Sequence, residues 1–263
     1  MILDRIINNK KLELSELERI HPLDMLKDRM SGLPPVRDFR KALRLSLVNG
    51  KEKPVRIIAE VKKASPSKGV IREDFNPVEI ATIYQESGAA AISVLTDKMF
   101  FQGDIEYLKA IKDSTSIPIL NKDFIIAPYQ IYLARLYGAD AVLLIAAILS
   151  DYELKTFLEL TSQLGLDALV EVHTRAELKR VLATGAKIIG INNRNLKSFQ
   201  VCTDTSSQLA KDIPDNVITV SESGIDCKKI ILSLQREGID AFLIGEALMK
   251  EKDIGCTLRA LIN

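Results

Sequence analysis

The amino-acid sequence predicts a (β/α)₈, or TIM, barrel, the α/β fold in which eight parallel strands form a closed ring inside a layer of helices. Three observations lead to this prediction: eight apolar stretches of strand length, amphipathic stretches between them, and a spacing of roughly 20 to 35 residues between strands. A barrel of 263 residues commonly forms one domain. An open, doubly wound sheet is the alternative, but it seldom contains eight strands so evenly matched. We therefore expect a single barrel domain over residues 1–263.

Eight short stretches rich in β-branched residues have the length of strands. The first four are RIIAEVK near residue 57, AAISVLT near 91, IPILNKD near 117 and ADAVLLIA near 140. The other four are DALVEVH near 168, KIIGINN near 188, VITVSES near 217 and DAFLIGE near 241. We number them predicted strands 1 to 8 in chain order.

Helical periodicity fills the intervals between these strands. The clearest cases are PVEIATIYQESG, APYQIYLARLYG, RAELKRVLATG and KKIILSLQREG, which end in Gly88, Gly138, Gly185 and Gly238. A glycine just past a helix end suits the left-handed conformation that often terminates a helix. We therefore predict that each of these helices stops at its glycine and that a strand follows.

About 50 residues precede predicted strand 1. ILDRIINNKKLELSELERI is amphipathic and helical, and GLPPVRDFRKAL is typical of a turn followed by another helix. We expect these extra N-terminal helices to cap one mouth of the barrel. A separate interaction arm is the alternative.

Composition argues against several classes of partner. Lys and Arg number 36 against 35 for Asp and Glu, so a net charge of +1 gives no overall attraction to nucleic acid or to an anionic membrane. The N-terminus is charged throughout, unlike a signal peptide, and the longest apolar run, residues 141–149, is far shorter than the roughly 20 residues that span a bilayer. The three cysteines have no metal-ligand spacing. We expect a cytoplasmic enzyme with reduced thiols and no metal.

Polar residues stand at the C-terminal ends of seven predicted strands, where barrel enzymes carry their catalytic groups. They are Glu60, Lys62 and Ser65; Ser93, Thr96 and Asp97; Lys122 and Asp123; Glu171 and His173; Asn192, Asn193 and Arg194; Ser221, Glu222, Ser223 and Gly224; and Gly245 and Glu246. One such residue is usually solvated, but seven strands converging on one mouth indicate a site. Glu60 and Lys62 share a strand face, which we expect to point into that mouth. We assign no catalytic role to His173, which could equally cap a helix.

Small residues after predicted strands 7 and 8 favour a phosphorylated ligand. SESG and IGEA let backbone N–H groups approach an anion, and the loops after these two strands form a phosphate site in many barrels. The same mouth carries apolar residues, which are Phe101, Phe124, Leu143, Leu196 and Ile244. Phosphate at one end and an apolar slot at the other imply a sugar phosphate attached to a flat group. The alternative is that these apolar side chains only close the core.

Eight motifs, in order along the chain, resemble the indole-3-glycerol phosphate synthase family. They are AEVKKASPSKG, REDFNP, SVLTDKMFFQG, NKDFI, LVEVHT, GINNRNL, VSESGI and LIGEALM, and the match extends from LDRI near the N-terminus to about residue 250. KKASPSKG together with INNRNL is specific, since generic phosphate-binding barrels lack both. The resemblance implies closure of the indole ring in tryptophan biosynthesis, in which 1-(2-carboxyphenylamino)-1-deoxyribulose 5-phosphate loses CO₂ and water.

The resemblance also implies catalytic roles at matching positions. Lys122 would be a general acid at the sugar carbonyl, with Glu171 as its partner. Lys62 would be a second acid or an anion anchor, and Glu60 a base or orienting group. Asn192 and Glu222 would bind hydroxyl groups and the intermediate.

Substrate binding is implied at a further set of positions. Arg194 would support the site electrostatically, and Ser65, Ser223, Gly224, Gly245 and Glu246 would hold the phosphate, the last three mainly through backbone N–H groups. The remaining contacts would come from Pro66, Phe101, Phe124, Leu143, Leu196 and Ile244.

The chemistry requires these residue types independently of the resemblance. An aromatic carbon that attacks a ketone needs a proton donor at the ketone oxygen, and a lysine in a partly apolar mouth can have its pKa lowered toward that task. The reaction needs no metal, flavin, nicotinamide or pyridoxal. We expect a phosphorylated small molecule as the only partner, with no nucleic acid or membrane, and a monomer as the simplest state. Two alternatives stay open: a sugar-phosphate isomerase barrel, against which the Lys62 and Lys122 pair argues, and an inactive scaffold barrel.

Overall fold

The computed structural model describes residues 2–44, 54–196 and 198–263, and eight parallel strands form a closed barrel within them. The predicted fold is therefore confirmed. The strands are β1 Ile57–Val61, β2 Ala91–Leu95, β3 Ile119–Lys122, β4 Ala141–Ile145, β5 Asp167–Val172, β6 Ile188–Asn192, β7 Ile218–Glu222 and β8 Ala241–Ile244. Each strand pairs with the next in the chain, and Ala59 of β1 closes the ring by pairing with Ile92 of β2 and Ile244 of β8.

Thirteen helices lie among the described residues. They are α1 Ile2–Ile20, α2 Leu23–Asp28, α3 Phe39–Leu43, α4 Pro77–Glu86, α5 Lys98–Phe101, α6 Glu106–Ser114, α7 Pro128–Leu136, α8 Asp151–Gln163, α9 Arg175–Ala183, α10 Asp204–Ala210, α11 Lys228–Arg236, α12 Glu246–Met249 and α13 Ile254–Ile262. The four helices predicted between strands are α4, α7, α9 and α11, and the predicted glycine after each has a positive φ between 76° and 98°. The two helices predicted in the N-terminal extension correspond to α1 and α3. In the described part of the chain, no helix combines the length and apolar character needed to cross a membrane.

Alternation along the strands divides the core into two layers. In β1, Ile57 and Ala59 pack outward with the helices, whereas Ile58 packs inside the barrel with side chains such as Leu120 and Leu169. Both sets are almost fully buried. Because both faces of each strand are covered, the strands are nearly continuous apolar runs, as is usual for parallel sheets.

The N-terminal extension contacts both ends of the barrel, whereas the sequence predicts a cap on one mouth only. Phe39 and Leu43 of α3 are fully buried in the interior cluster at the end where the strands begin. There the backbone N–H of Arg37 donates to Asp140, just before β4. Helix α1 lies instead at the C-terminal mouth, where Ile6 lines a cavity of about 520 Å³. The described part of the extension therefore packs on the barrel; predicted extension residues 1 and 45–50 lie outside the described residues.

The loop after β1 folds into a small antiparallel hairpin that sequence periodicity did not predict. Ala64–Ser65 pairs with Gly69–Val70, and Ser65 faces Gly69 across the turn. Gly69 adopts a φ of 67°, a conformation that glycine reaches without steric cost. The hairpin directs Ser65 and Pro66 toward the cavity at the C-terminal mouth.

Candidate active site

A cavity of about 520 Å³ lies at the C-terminal mouth of the barrel. Every residue that the sequence analysis proposes for catalysis or binding lines it. They are Glu60, Lys62, Ser65, Pro66, Phe101, Lys122, Phe124, Leu143, Glu171, Asn192, Arg194, Leu196, Glu222, Ser223, Gly224, Ile244, Gly245 and Glu246. The convergence arises because parallel strands deliver their C-terminal residues to the same end of the ring.

Glu60 and Lys62 form a close ion pair in this cavity. The Lys62 Nζ lies 2.5 Å from Glu60 Oε1, which confirms the predicted proximity of the two side chains. Glu60 is only 3% exposed, so it is not a solvated edge residue. Gly245 packs directly against it, because a Cβ at position 245 would collide with the Glu60 carboxylate.

Lys122, at the end of β3, joins two carboxylates from β5 and β7. Its Nζ lies 2.8 Å from Glu222 Oε2 and 3.3 Å from Glu171 Oε2. Burial opposes the charge of Lys122, but the carboxylates of Glu222, Glu171 and Glu60 outweigh it and raise its pKa. The expectation of a lowered pKa is therefore wrong, since it considered the apolar surroundings without the carboxylates of other strands. Lys122 is held as a cation.

The two carboxylates beside Lys122 differ in acidity. Burial raises the pKa of Glu222 to about 7. The negative charge of Glu171 also raises this pKa, whereas the positive charge of Lys122 opposes the rise. Burial acts likewise on Glu171, but Lys122, His173 and a hydrogen bond from Asn192 outweigh it and lower the pKa of Glu171. Environments that separate the pKa values of neighbouring groups typically distinguish an acid from a base. Glu171 is therefore ionised at neutral pH, and Glu222 can carry or release a proton.

His173 lies behind this pair, outside the cavity lining. Its Nε2 is 3.3 Å from Glu171 Oε1 and its Nδ1 is 3.4 Å from Glu177 Oε2 in α9. Its backbone N–H also donates to Glu177. Burial lowers the pKa of His173, but Glu177 and Glu171 outweigh it and the pKa is raised. That His173 has no catalytic role stays a prediction.

A second group of charges lies at the edge of the cavity, and we call it the rim cluster: Lys68, Arg194, Glu246 and Lys250. The Glu246 carboxylate is at its centre, 2.5 Å from Lys250 Nζ, 3.4 Å from an Arg194 guanidinium nitrogen and 3.9 Å from Lys68 Nζ. Burial would raise the pKa of Glu246, but Lys250, Lys68 and Arg194 lower it. With three cations and one carboxylate, the cluster has a net charge of +2.

The loop after β7 borders this rim and has an unusual backbone. Ser223 has a φ of 68°, which is costly for a residue with a side chain, and Gly224 follows with 76°. Asn193 holds the loop by donating its side-chain amide to Ser221 Oγ at 3.1 Å and to the Ser223 carbonyl at 3.0 Å. Asn193 thus supports the cavity from behind, in contrast to its neighbour Asn192, which lines it. Strained backbone of this kind is common at ligand sites.

Part of the cavity lining is apolar. The rings of Phe101 and Phe124 lie 6.0 Å apart between centroids, and Leu143 lines the floor near them. Ile2, Leu3 and Ile6 of α1 also line the cavity, and we call all these apolar lining side chains its apolar wall. The sequence analysis missed these three residues, although the amphipathic pattern of α1 marks the face to which they belong.

Three further contributions to the site also escaped the sequence analysis. Lys68 and Lys250 were not singled out, although Lys68 stands inside the KKASPSKG motif and Lys250 lies one helical turn after Glu246. Gly190 of β6 leaves room for Glu222, because a Cβ there would collide with that carboxylate. A glycine inside a strand is a recognised sign of a close approach, and it was the available signal.

The fold and this cavity define a barrel enzyme that performs acid–base chemistry on an anionic small molecule. The sequence model of the indole-3-glycerol phosphate synthase family matches residues 3–261. The chain therefore belongs to the indole-3-glycerol phosphate synthase family.

Individual members of this family align with the full length of the chain. Indole-3-glycerol phosphate synthase of Campylobacter jejuni is 50% identical over 263 residues, which is 100% of both chains. The enzyme of Trichodesmium erythraeum is 50% identical over 268 residues, covering 100% of this chain and 89% of the relative. Among solved structures, a thiamine phosphate pyrophosphorylase from Pyrococcus furiosus has a TM-score of 0.60 at 16% identity, covering 79% of this chain and 93% of the other, which supports the fold alone.

The family relationship establishes the activity as that of a carboxy-lyase in tryptophan biosynthesis. It converts 1-(2-carboxyphenylamino)-1-deoxy-D-ribulose 5-phosphate to indole-3-glycerol phosphate, CO₂ and water. The isomerase and scaffold alternatives are thereby set aside.

Proposed function

We propose that the substrate lies across the cavity with its phosphate at the rim cluster and its aromatic ring between the apolar side chains. The net charge of +2 at the rim complements a phosphate group, which carries a charge of about −2 at neutral pH. Ser223 and Gly224 border the same region, where backbone N–H groups can add hydrogen bonds. Phe101 follows β2 and Phe124 follows β3, and β2 lies across the ring of strands from β6, which precedes Arg194. This orientation places the sugar carbonyl between them, near Lys122.

For ring closure, we propose that Lys122 donates a hydrogen bond, and then a proton, to the ketone oxygen. Attack of the ring carbon moves the carbonyl electron pair onto that oxygen, so a cation beside it stabilises the developing charge. The raised pKa of Lys122 supports the hydrogen bond and the charge stabilisation, because it keeps the ammonium group charged across the working pH range. Departure of CO₂ then returns the electron pair of the broken bond to the aromatic ring. Lys62, paired with Glu60, supplies a second positive charge in the same cavity.

For the loss of water, we propose that Glu222 and Glu171 divide the acid and base roles. The leaving hydroxyl group must gain a proton, and the neighbouring carbon must lose one as the double bond forms. Glu222, with a pKa of about 7, is suited to deliver a proton near neutrality, and its Oε1 has no hydrogen-bond partner among the described residues. Glu171, whose pKa is lowered, is suited to remain an ionised acceptor. Asn192 orients Glu171 through their hydrogen bond.

The single observation that carries these assignments is the position of Lys122 Nζ between Glu222 and Glu171 at one side of the cavity. A crystal structure with bound product tests the orientation. We expect the phosphate within hydrogen-bond distance of Ser223 or Gly224 and the indole ring against Phe124. A product bound in the reverse orientation, or outside this cavity, would contradict the proposal.

We further propose that the protein acts in the cytoplasm as a monomer, without a nucleic-acid or membrane partner. The near-neutral net charge supports the absence of a polyanionic partner. Light scattering at assay concentration tests the oligomeric state, with an expected mass of 29.2 kDa. Twice that mass would contradict the monomer.

A further inference from the structure

Lys10 of α1 is a buried charge that none of the roles above uses. Its side chain is 2% exposed, and its Nζ lies 2.9 Å from Glu13, 3.2 Å from Asp97 and 3.0 Å from Asp123. Burial opposes the charge, but the carboxylates of Asp123, Asp97 and Glu13 outweigh it and raise the pKa of Lys10. A buried cation with three carboxylate partners is costly to assemble and holds its partners at fixed distances.

The two aspartates belong to the barrel, at the ends of adjacent strands. Asp97 follows β2 and is fully buried, where it caps α5 by accepting from the N–H of Phe100. Asp123 directly follows Lys122 at the end of β3 and accepts from the Thr96 hydroxyl at 2.6 Å. Thr96 in turn accepts from the Asn121 side chain at 2.9 Å. Lys10 therefore joins an N-terminal helix to a hydrogen-bonded network that flanks Lys122 on both sides in the chain.

The same helix forms part of the cavity wall. Ile6 lies one helical turn before Lys10, so the two side chains project on one side of α1. Ile2, Leu3 and Ile6 line the same cavity as Phe101 and Phe124. Phe101 ends α5, the helix that Asp97 caps, and Phe124 follows Asp123 directly. The ion pairs of Lys10 thus fix three parts of the apolar wall relative to one another: α1, α5 and the segment after β3.

We propose that Lys10 is a positioning residue, which acts through Asp97 and Asp123 to set both the apolar wall and the location of Lys122. The ion pairs hold α1 against the strand ends so that water is excluded from the end of the cavity that receives the aromatic ring. Because only Asp123 separates Lys122 from Phe124, loosening the ion pairs of Lys10 would shift both residues together. The inference rests on the proposed substrate site and adds to it a requirement for α1.

Lys10→Met, which keeps most of the apolar stem and removes the charge, tests this role, with Lys11→Met as the matched control. Lys11 is the next residue of the same helix and is exposed. Both variants are assayed by indole fluorescence at a temperature where circular dichroism shows them fully folded. We expect Lys10→Met to raise KM at least fivefold and to lower kcat about tenfold, while Lys11→Met keeps both constants of the wild type.

Competition by inorganic phosphate separates a local effect from a general loss of structure. Phosphate is proposed to bind at the rim cluster, which shares no ion pair with Lys10 or its carboxylate partners among the described residues, so its inhibition constant should be the same in Lys10→Met and the wild type. A folded Lys10→Met protein with normal kcat and KM would overturn the positioning role, as would one whose phosphate binding weakens in proportion to KM. In the wild type, a lack of competition between inorganic phosphate and substrate would instead refute the proposed phosphate position at the rim.

If Lys10→Met does not fold, Asp97→Asn provides the decisive measurement. This variant keeps the size of the side chain and leaves Asp123 and Glu13 as partners of Lys10. Asp97 does not line the cavity, so it cannot affect the substrate by contact. We expect a two- to threefold rise in KM, and unchanged kcat and KM would overturn the proposal.

Discussion

Two groups of charges at the same barrel mouth have the same residue types and opposite physical character. The deep cluster consists of Glu60, Lys62, Lys122, Glu171 and Glu222, and its carboxylates are 1–3% exposed. The rim cluster of Lys68, Arg194, Glu246 and Lys250 has side chains that are 25–50% exposed. Burial strengthens electrostatic interactions in the first group, whereas solvent screens them in the second.

This difference in burial indicates that the deep cluster serves the chemical steps and the rim cluster serves anion binding. In the deep cluster, burial raises the pKa of Glu222, whereas at Glu171 burial is outweighed by Lys122 and His173 and the pKa is lowered. In the rim cluster, three cations surround one carboxylate and leave a positive charge for an anion. Changes in the deep cluster should therefore act mainly on kcat, and changes at the rim mainly on binding.

The largest expected effect is at Lys122. Lys122→Met removes the proton donor and the charge beside the ketone oxygen, so kcat should fall by a factor of about 10² or more. Steady-state kinetics by indole fluorescence measure it, with a thermal melt to show that the barrel is folded.

Lys68→Met at the rim is the matched comparison for Lys122→Met. It also removes a lysine that lines the cavity, but from a position that is half exposed. We expect its kcat to remain within about twofold, while KM rises severalfold through the lost phosphate contact. Equal losses of kcat in the two variants would remove the distinction between the clusters.

The second effect concerns the pH dependence of stability at Glu222. Its pKa rises from 4.5 in the unfolded chain to about 7 in the fold, so the folded protein binds more protons between these values. The free energy of unfolding should therefore fall as pH rises from about 4.5 to 7, by on the order of 1–3 kcal/mol from this group.

Glu222→Gln removes the titration of this side chain while keeping its shape. Urea denaturation at pH 5 and pH 7.5 should show a smaller drop in stability for the variant than for the wild type. If stability falls equally between the two pH values in the variant and the wild type, Glu222 is ionised in the folded protein throughout this range.

The third effect is at Glu60. Glu60→Gln retains size and hydrogen bonding but removes the negative charge beside Lys62, and activity should fall at least tenfold, which is about 1.4 kcal/mol of transition-state stabilisation. Stability should hold or rise, because active sites often retain costly charges for function. The exposed Glu73→Gln is the control. A fully active Glu60→Gln, or one that is inactive only because it is unfolded, would make Glu60 a structural residue.

The barrel and most of the cavity were predictable because they depend on local patterns. Apolar runs with regular spacing defined the strands, and the closed ring brings the strand ends together without further information. Glu60 and Lys122 could therefore be assigned to one mouth from their positions alone. The close contact between Glu60 and Lys62 followed from strand alternation.

The remaining features depend on contacts between distant parts of the chain. Lys10 stands in an amphipathic helix like any surface lysine, and its burial depends on Asp97 and Asp123, about 90 and 110 residues later. The sign of the Lys122 pKa shift depends on distances to carboxylates from β5 and β7, which periodicity does not provide. The packing of α3 at the opposite end of the barrel was likewise not predictable, because the sequence does not show which apolar face meets the barrel interior.

The smallest expected effect is at Glu246, the one carboxylate of the rim cluster. Its charge holds Lys250 and Arg194 together but also opposes a phosphate group nearby. Glu246→Gln raises the net charge of the rim from +2 to +3, so inorganic phosphate should inhibit about three- to fivefold more strongly, a modest change because the site is partly exposed to solvent. The gain should shrink as sodium chloride is raised from about 0.05 to 0.5 M, since salt screens exposed charges. The control is Glu251→Gln, an exposed carboxylate just beyond α12, which should leave phosphate inhibition unchanged. Weaker inhibition in Glu246→Gln would instead mean that this carboxylate's main effect is to hold the cations in place, and inhibition insensitive to both the substitution and salt would move the phosphate away from the rim.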